Sequence, residues 1–229
     1  MRRSSLSSPS AFSLVELSIV LVILGLLVGG ILSGQSLIRA AQLRSVGADF
    51  SKYIAAVNTF RDKYFALPGD MTNAQTVWGV AHATAATCVT TASTDAKTCN
   101  GNGDGRIEPS TGSNEAFRFW QHLANAGLIE GQYDGITHGA NSFSVTAANS
   151  PKAKLNNALW FAWYWGTQTS ALQMFDGVYN NIFELGAAYT DGDPLNPIFK
   201  PEELWNIDTK LDDGKPATGG LVLRSGPEN

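Results

Sequence analysis

One stretch constrains this chain more than any other: the 21 residues from Phe12 to Leu32, FSLVELSIVLVILGLLVGGIL, carry a single ionisable side chain, Glu16. As a helix it is long enough to cross the roughly 30 Å of hydrocarbon in a bilayer. The eleven residues before it, MRRSSLSSPSA, are polar and basic. Arg2 and Arg3 therefore predict a cytoplasmic amino end and an exported chain after Leu32. A cleavable secretory signal is the competing reading, but its apolar region runs to only about 7 to 15 residues and does not begin with a carboxylate. The mean hydropathy of the whole chain, -0.06, excludes a polytopic membrane protein. A net charge of -4 with no Lys/Arg cluster excludes a nucleic-acid binder.

Glu16 needs a partner. A carboxylate inside a bilayer costs about 2.5 to 3.5 kcal/mol at mid-helix and less near the interface. No Lys or Arg follows it in the apolar run. A cut between Ala11 and Phe12 would create an amino terminus one helical turn away, on the same chain or on a neighbouring copy. The segment Ala11, Phe12, Ser13, Leu14, Val15, Glu16, followed by LSIVLVILGLL, resembles the start of the type IV pilins and type II secretion pseudopilins. Those precursors carry a short basic leader, then Phe, then an apolar helix with Glu at its fifth position. One position departs from the pattern: Ala11 stands where the family has Gly before the cut.

The resemblance implies an α+β, pilin-like fold: one long N-terminal helix whose second half packs on a C-terminal globular head with a small antiparallel sheet. It implies a leader over residues 1–11, a helix over 12–66 that spans the membrane over 12–32 and is amphipathic over 33–66, and an exported head over 67–229. It also implies cleavage before Phe12 by a prepilin peptidase, methylation of the new amine, and neutralisation of that amine by Glu16 of an adjacent subunit. The expected partners are copies of the chain and other pilins, the inner-membrane assembly platform and the bilayer.

The residues support the helix independently. Leu43, Val46, Phe50, Tyr53, Val57, Phe60 and Tyr64 alternate steps of three and four, which makes one apolar stripe that a head must cover. Pro68 and Gly69 supply the stop. Gly25 with Gly29, and Gly30 with Gly34, are spaced for close helix approach in lipid; the same glycines also permit a bend.

In the head, HATAATCVTTASTDAKTC predicts an exposed loop. Its Cys88 and Cys99 are the only cysteines, and in an exported chain they predict one disulfide. Asn100, Asn102, Asp104 and Gly105 resemble the front half of a calcium loop, but Thr111 stands where the bidentate Glu belongs; an ion-free Asn/Gly turn explains them equally well. SNEAFRFWQHLANAGLI predicts a helix capped by Ser113 or Asn114 and ended by Gly127. His122 in it reads as structural or solvent-facing. SFSVTAA and NALWFAWYWGT predict strands, with Trp160, Trp163 and Trp165 as core or subunit-contact residues. Pro201 with Glu202 and Glu203 opens a helix, and Asp208, Asp212 and Asp213 crowd three carboxylates into the turn after it. That turn is either solvated or holds a hard cation; some type II pseudopilins bind calcium near their C-terminal loops, so calcium is the candidate cofactor.

His82, His122 and His138 show no metal-ligand spacing, and no GxSxG, HExxH or phosphate-loop pattern occurs, so no enzyme is expected. The expected function is that of a structural subunit of a type IV pilus or a type II secretion pseudopilus, held first by one span in the inner membrane with its head in the periplasm. A monomeric membrane-anchored periplasmic binding module is the alternative, and a tethered enzyme the remote one.

Overall fold

The computed structural model describes residues 13–109, 114–139, 143–155, 157–169, 174–189 and 192–226. Ala11, Phe12, Thr111 and Ser113 lie outside them. One helix, α1 (Leu14–Tyr64), is followed by the short helices α2 (Ala74–Trp78) and α3 (Ala85–Cys88), then by α4 (Glu115–Asn125), strands β1 (Leu159–Gln168) and β2 (Gly177–Gly186), and helix α5 (Pro201–Leu211). The chain forms two compact units, Met1–Gln42 and Leu43–Asn229, so α1 contributes to both.

In the first unit, residues 13–33 are all exposed. The best 18-residue window of α1 has a mean hydropathy of 2.6 and none of it is buried. An apolar helix with no protein cover is stable only where lipid or other apolar helices replace water.

In the second unit the expected stripe finds its cover. Val46, Tyr53 and Phe60 are buried, and Leu43, Phe50, Val57 and Tyr64 pack against the same core at half burial. Tyr53 sits at the centre, its ring 5.0 Å from Trp120 and 5.5 Å from Trp160. Truncating a fully buried aromatic such as Phe60 costs about 3 to 5 kcal/mol.

The sheet is a two-stranded antiparallel hairpin in which Trp160 opposes Leu185 and Trp163 opposes Ile182. β1 falls where the aromatic run predicts a strand, and Leu159 to Ala162 are buried along it. The partner strand comes from 177–186, whereas 143–148 of the expected SFSVTAA strand forms none. There the backbone is taken by side chains and a distant loop: Asn149 Oδ1 accepts from Thr146 N, and Val145 N donates to Gly192 O.

The Cys-containing segment is exposed at most of its residues, with five buried exceptions. Cys88, Val89, Ser93, Thr98 and Cys99 are buried, and Cys88 is bonded to Cys99. The reason is α4, buried along its polar face as well as its apolar one. Arg118 donates to the Cys88 and Thr91 carbonyls, Gln121 to those of Ser93 and Lys97, and Asn125 to that of Ala96. Asn114 occupies the position before α4, but its side chain donates to Val89 O and does not cap the helix.

Candidate functional site

Three places gather chemistry-bearing side chains: the first turn of α1, and two acidic clusters in the head.

Ser13 N donates to Glu16 Oε2 at 2.9 Å, and Ser13 Oγ accepts from Val15 N at 3.3 Å. The carboxylate thus satisfies one of the free N–H groups of the helix end, where the macrodipole also favours a negative charge. Among the described residues no cation pairs with it. Gly25, Gly29, Gly30 and Gly34 have no atom within 4 Å of where a Cβ would stand, so their surface is open for another helix.

The first acidic cluster joins Asp104 to two carboxylates distant in sequence, Asp70 and Glu115, with one oxygen of each within 4.8 Å of the others. Asp70 follows a tight turn at Gly69, whose φ is +84° and where a Cβ would stand 2.3 Å from the Glu115 carbonyl oxygen. Only glycine permits that approach. The two buried carboxylates are fully used by the backbone. Asp70 accepts from Gly103 N and Gly105 N at 2.6 and 2.9 Å, and Glu115 accepts from Asn102 N and Glu108 N at 2.9 and 3.2 Å. Burial pushes Glu115 up to about 7, with the Asp70 and Asp104 charges adding to it and the two N–H donors opposing it. Asp70 is raised for the same main reason. Asn102 stays beside Asp104, its Nδ2 donating to Asp104 Oδ2 at 3.2 Å. Asn100 is engaged elsewhere, its Oδ1 accepting from Gln75 N at 2.9 Å.

The second cluster is the acidic turn after α5: Asp208, Asp212 and Asp213, again with one oxygen of each within 4.8 Å of the others. Asp213 binds the loop through Lys215 N and the Thr218 hydroxyl, which hold its carboxyl below the usual range. Asp212 Oδ2 accepts from Gly220 N and Leu221 N at 2.6 and 3.0 Å. Asp208 differs from both. It is 1 % exposed, and its Oδ1 is buried with no hydrogen-bond partner among the described residues. Loss of solvent raises its pKa, with Asp213 and Asp212 adding repulsion against a hydrogen bond from Gly214 N. A calcium ion takes six to eight oxygens at about 2.3 to 2.6 Å, so ligands on opposite sides of it lie about 5 Å apart. Oxygens within 4.8 Å of one another are compatible with that in both clusters alike.

The remaining predicted residues are structural. His122 is fully buried, with Nδ1 accepting from Gly69 N and Nε2 beside the Thr98 hydroxyl. Burial, with the Arg118 charge adding to it, pushes His122 down to about 3 and keeps it neutral. Trp160 is core; Trp163 and Trp165 are half-buried, and Trp163 Nε1 donates to Glu184. Glu184 and Asp193 share Arg224 of the C-terminal segment. Among the described residues the surface carries a cleft of about 1010 Å³ beside Arg61, Phe65 and Asp70, and an apolar groove of about 680 Å³ between α1, β2, α5 and residues 219–225.

Comparison with family models, curated proteins and solved structures found no match. The functional reading therefore rests on this chain's own residues.

Proposed function

We propose that the chain is a structural subunit of a type IV filament system, a pilus or a type II secretion pseudopilus, cut before Phe12 and polymerised through α1. The observation that carries this is the pairing of a long apolar helix surface lacking any protein cover with one carboxylate, Glu16, in its first turn. Many copies burying that surface against one another replace the lipid on leaving the bilayer. Glu16 caps its own helix through Oε2 and leaves Oε1 for the amine of a neighbour's Phe12, so each copy neutralises the next.

Calcium fits the second cluster better than the first, because Asp208 Oδ1 is a buried oxygen that no group among the described residues satisfies. Asp208, Asp212 and Asp213 would hold the ion, which would supply positive charge to a repelling turn and fix it. In this reading the head is exported, first to the periplasm and then to the filament surface.

Mass spectrometry of the mature protein from cells with and without a prepilin peptidase tests the reading. The expected mass is that of a chain beginning at methylated Phe12, seen only with the peptidase. A chain beginning at Met1 in both, or one cut after Leu32, would remove the filament reading and favour a tethered or secreted monomer. Glu16→Ala is expected to leave processing intact and to abolish polymer.

A further inference from the structure

The loop beside the first acidic cluster holds the two Asn–Gly dipeptides of the chain, Asn100–Gly101 and Asn102–Gly103. An Asn–Gly link is prone to react with itself. Glycine puts no Cβ in the way, so its nitrogen can attack the amide carbon of the Asn side chain and close a succinimide ring. Both asparagines are exposed, so water reaches them alike.

The fold treats the two dipeptides differently. Gly101 N donates to Met71 O at 2.9 Å, a neutral carbonyl that takes no proton, and Asn100 Oδ1 is held by Gln75 N. Gly103 N donates instead to Asp70 Oδ1 at 2.6 Å. That carboxylate touches the proton that must leave before the nitrogen can attack. Asp70 is itself fixed, being 5 % exposed, with its second oxygen accepting from Gly105 N at 2.9 Å. Asp104 N donates to Asn102 Oδ1 at 2.9 Å, on the oxygen that gathers negative charge as Cγ is attacked. Gly103 adopts φ +78° and a Cβ there would stand 2.5 Å from Thr72 Cγ2, so the fold itself requires glycine at the attacking position. Asp104–Gly105 meets the same base, but an ionised carboxylate is a poor electrophile and has no amine to release.

We propose that Asn102 is a self-modification site, at which Asp70 is the general base for ring closure by Gly103. Asp70 takes the Gly103 N–H proton, the nitrogen bonds to Asn102 Cγ, and the Cγ–Nδ2 bond breaks. Nδ2 leaves as ammonia on taking a proton from water, and Asp70 returns its own proton to the hydroxide so formed. Water then opens the ring at either carbonyl, which leaves aspartate or isoaspartate at position 102. The net change is one water in and one ammonia out. The product puts a carboxylate where Nδ2 now donates to Asp104 Oδ2, so a hydrogen bond becomes a repulsion. The reaction needs only the folded head and is independent of filament assembly and of calcium.

Purified full-length chain in detergent is aged at neutral pH, folded and in urea. Conversion at residues 100 and 102 is followed by peptide-mapping mass spectrometry that separates aspartate from isoaspartate. In the folded chain Asn102 should convert at least about tenfold faster than Asn100, since a positioned base supplies about 10²–10⁴-fold. In urea the two sites should convert at about the same rate. Asp70→Asn keeps an acceptor oxygen for Gly103 N but removes the base, so Asn102 should fall to the rate of Asn100 while Asn100 stays as it was. Equal rates in the folded chain overturn the proposal, and so does a fast Asn102 that survives Asp70→Asn. Rates that rise together at both sites in Asp70→Asn assign the effect to a loosened loop and overturn it too. Aspartate at 102 with no isoaspartate excludes the ring.

Discussion

The two acidic clusters of the head have the same number of carboxylates within the same distance of one another, and they solve the resulting repulsion differently. Around Asp70, Asp104 and Glu115 the chain folds its own N–H groups inward, and four of them occupy the oxygens of the two buried carboxylates. The acids there are tie points for the loop 101–108. Around Asp208, Asp212 and Asp213 the backbone serves the exposed acids, while the buried one keeps an oxygen with no partner. Proximity of carboxylates therefore does not separate the two clusters. Unmet hydrogen-bonding capacity does, because a buried acceptor without a donor carries a desolvation cost that a bound ion would remove.

The largest expected effect tests the tie-point half of that contrast. Glu115→Ala leaves Asn102 N and Glu108 N without acceptors, and two charge-assisted hydrogen bonds at about 1.5 to 3 kcal/mol each predict a loss of about 3 to 6 kcal/mol. Urea unfolding of the full chain in detergent measures it. A loss below 1 kcal/mol would mean that the loop does not depend on Glu115. Next in size is the response to calcium. An ion held only by the folded state adds about 2.7 kcal/mol at one hundred times its dissociation constant, a rise of roughly 5 to 11 °C in melting temperature. Asp208→Asn should abolish that rise and, without calcium, should melt no lower than the unmutated chain. A rise that survives Asp208→Asn removes the ion from the second cluster.

The contrast also marks what a sequence can show. Asp208, Asp212 and Asp213 are neighbours along the chain, so their crowding is visible before any fold is known. Asp70 and Glu115 come together with Asp104 only because α4 packs beside the Gly69 turn. Neither carries a local signal beyond a turn and a helix start. The stripe from Leu43 to Tyr64 was legible because helical periodicity and core burial are one pattern. β2 was not, since Gly177–Gly186 places Asn180 and Asn181 mid-strand and alternates imperfectly. Within the largely exposed Cys segment, the burial of Cys88, Val89, Ser93, Thr98 and Cys99 was not legible, because it depends on backbone carbonyls there serving the polar face of α4, which is distant in sequence.

Acid should separate the clusters by a smaller amount for each pH unit. His122 holds Gly69, the residue before Asp70, only while neutral. Its folded pKa lies near 3 against an unfolded value of about 6.5. Between these limits the unfolded chain binds one proton more, so this contribution to stability is complete above about pH 6.5 and is lost as pH falls toward 3. Glu115, raised to about 7, acts in the opposite direction, which makes the difference between the unmutated chain and His122→Gln the quantity to measure. That difference should shrink by about 1.4 kcal/mol per pH unit on acidification below 6.5. Hydrogen exchange should show the protection of 101–108 falling with it and that of 212–221 unchanged. A pH-independent difference would mean that His122 titrates normally and that Gly69 is held by something else.

The smallest expected effect is the most discriminating. Asp104 is the exposed member of the first cluster, and among the described residues its oxygens accept from Arg106 N and Asn102 Nδ2. Asp104→Ala loses those two turn bonds but relieves repulsion on Asp70 and Glu115, so stability should stay within about 0.5 kcal/mol, as for other exposed sites. The calcium-induced rise in melting temperature should be unchanged. If Asp104→Ala abolishes that rise while Asp208→Asn leaves it, the backbone-tied cluster is the cation site, its N–H groups turning away when the ion binds. Free oxygens would then be the wrong criterion, and carboxylate geometry alone the right one.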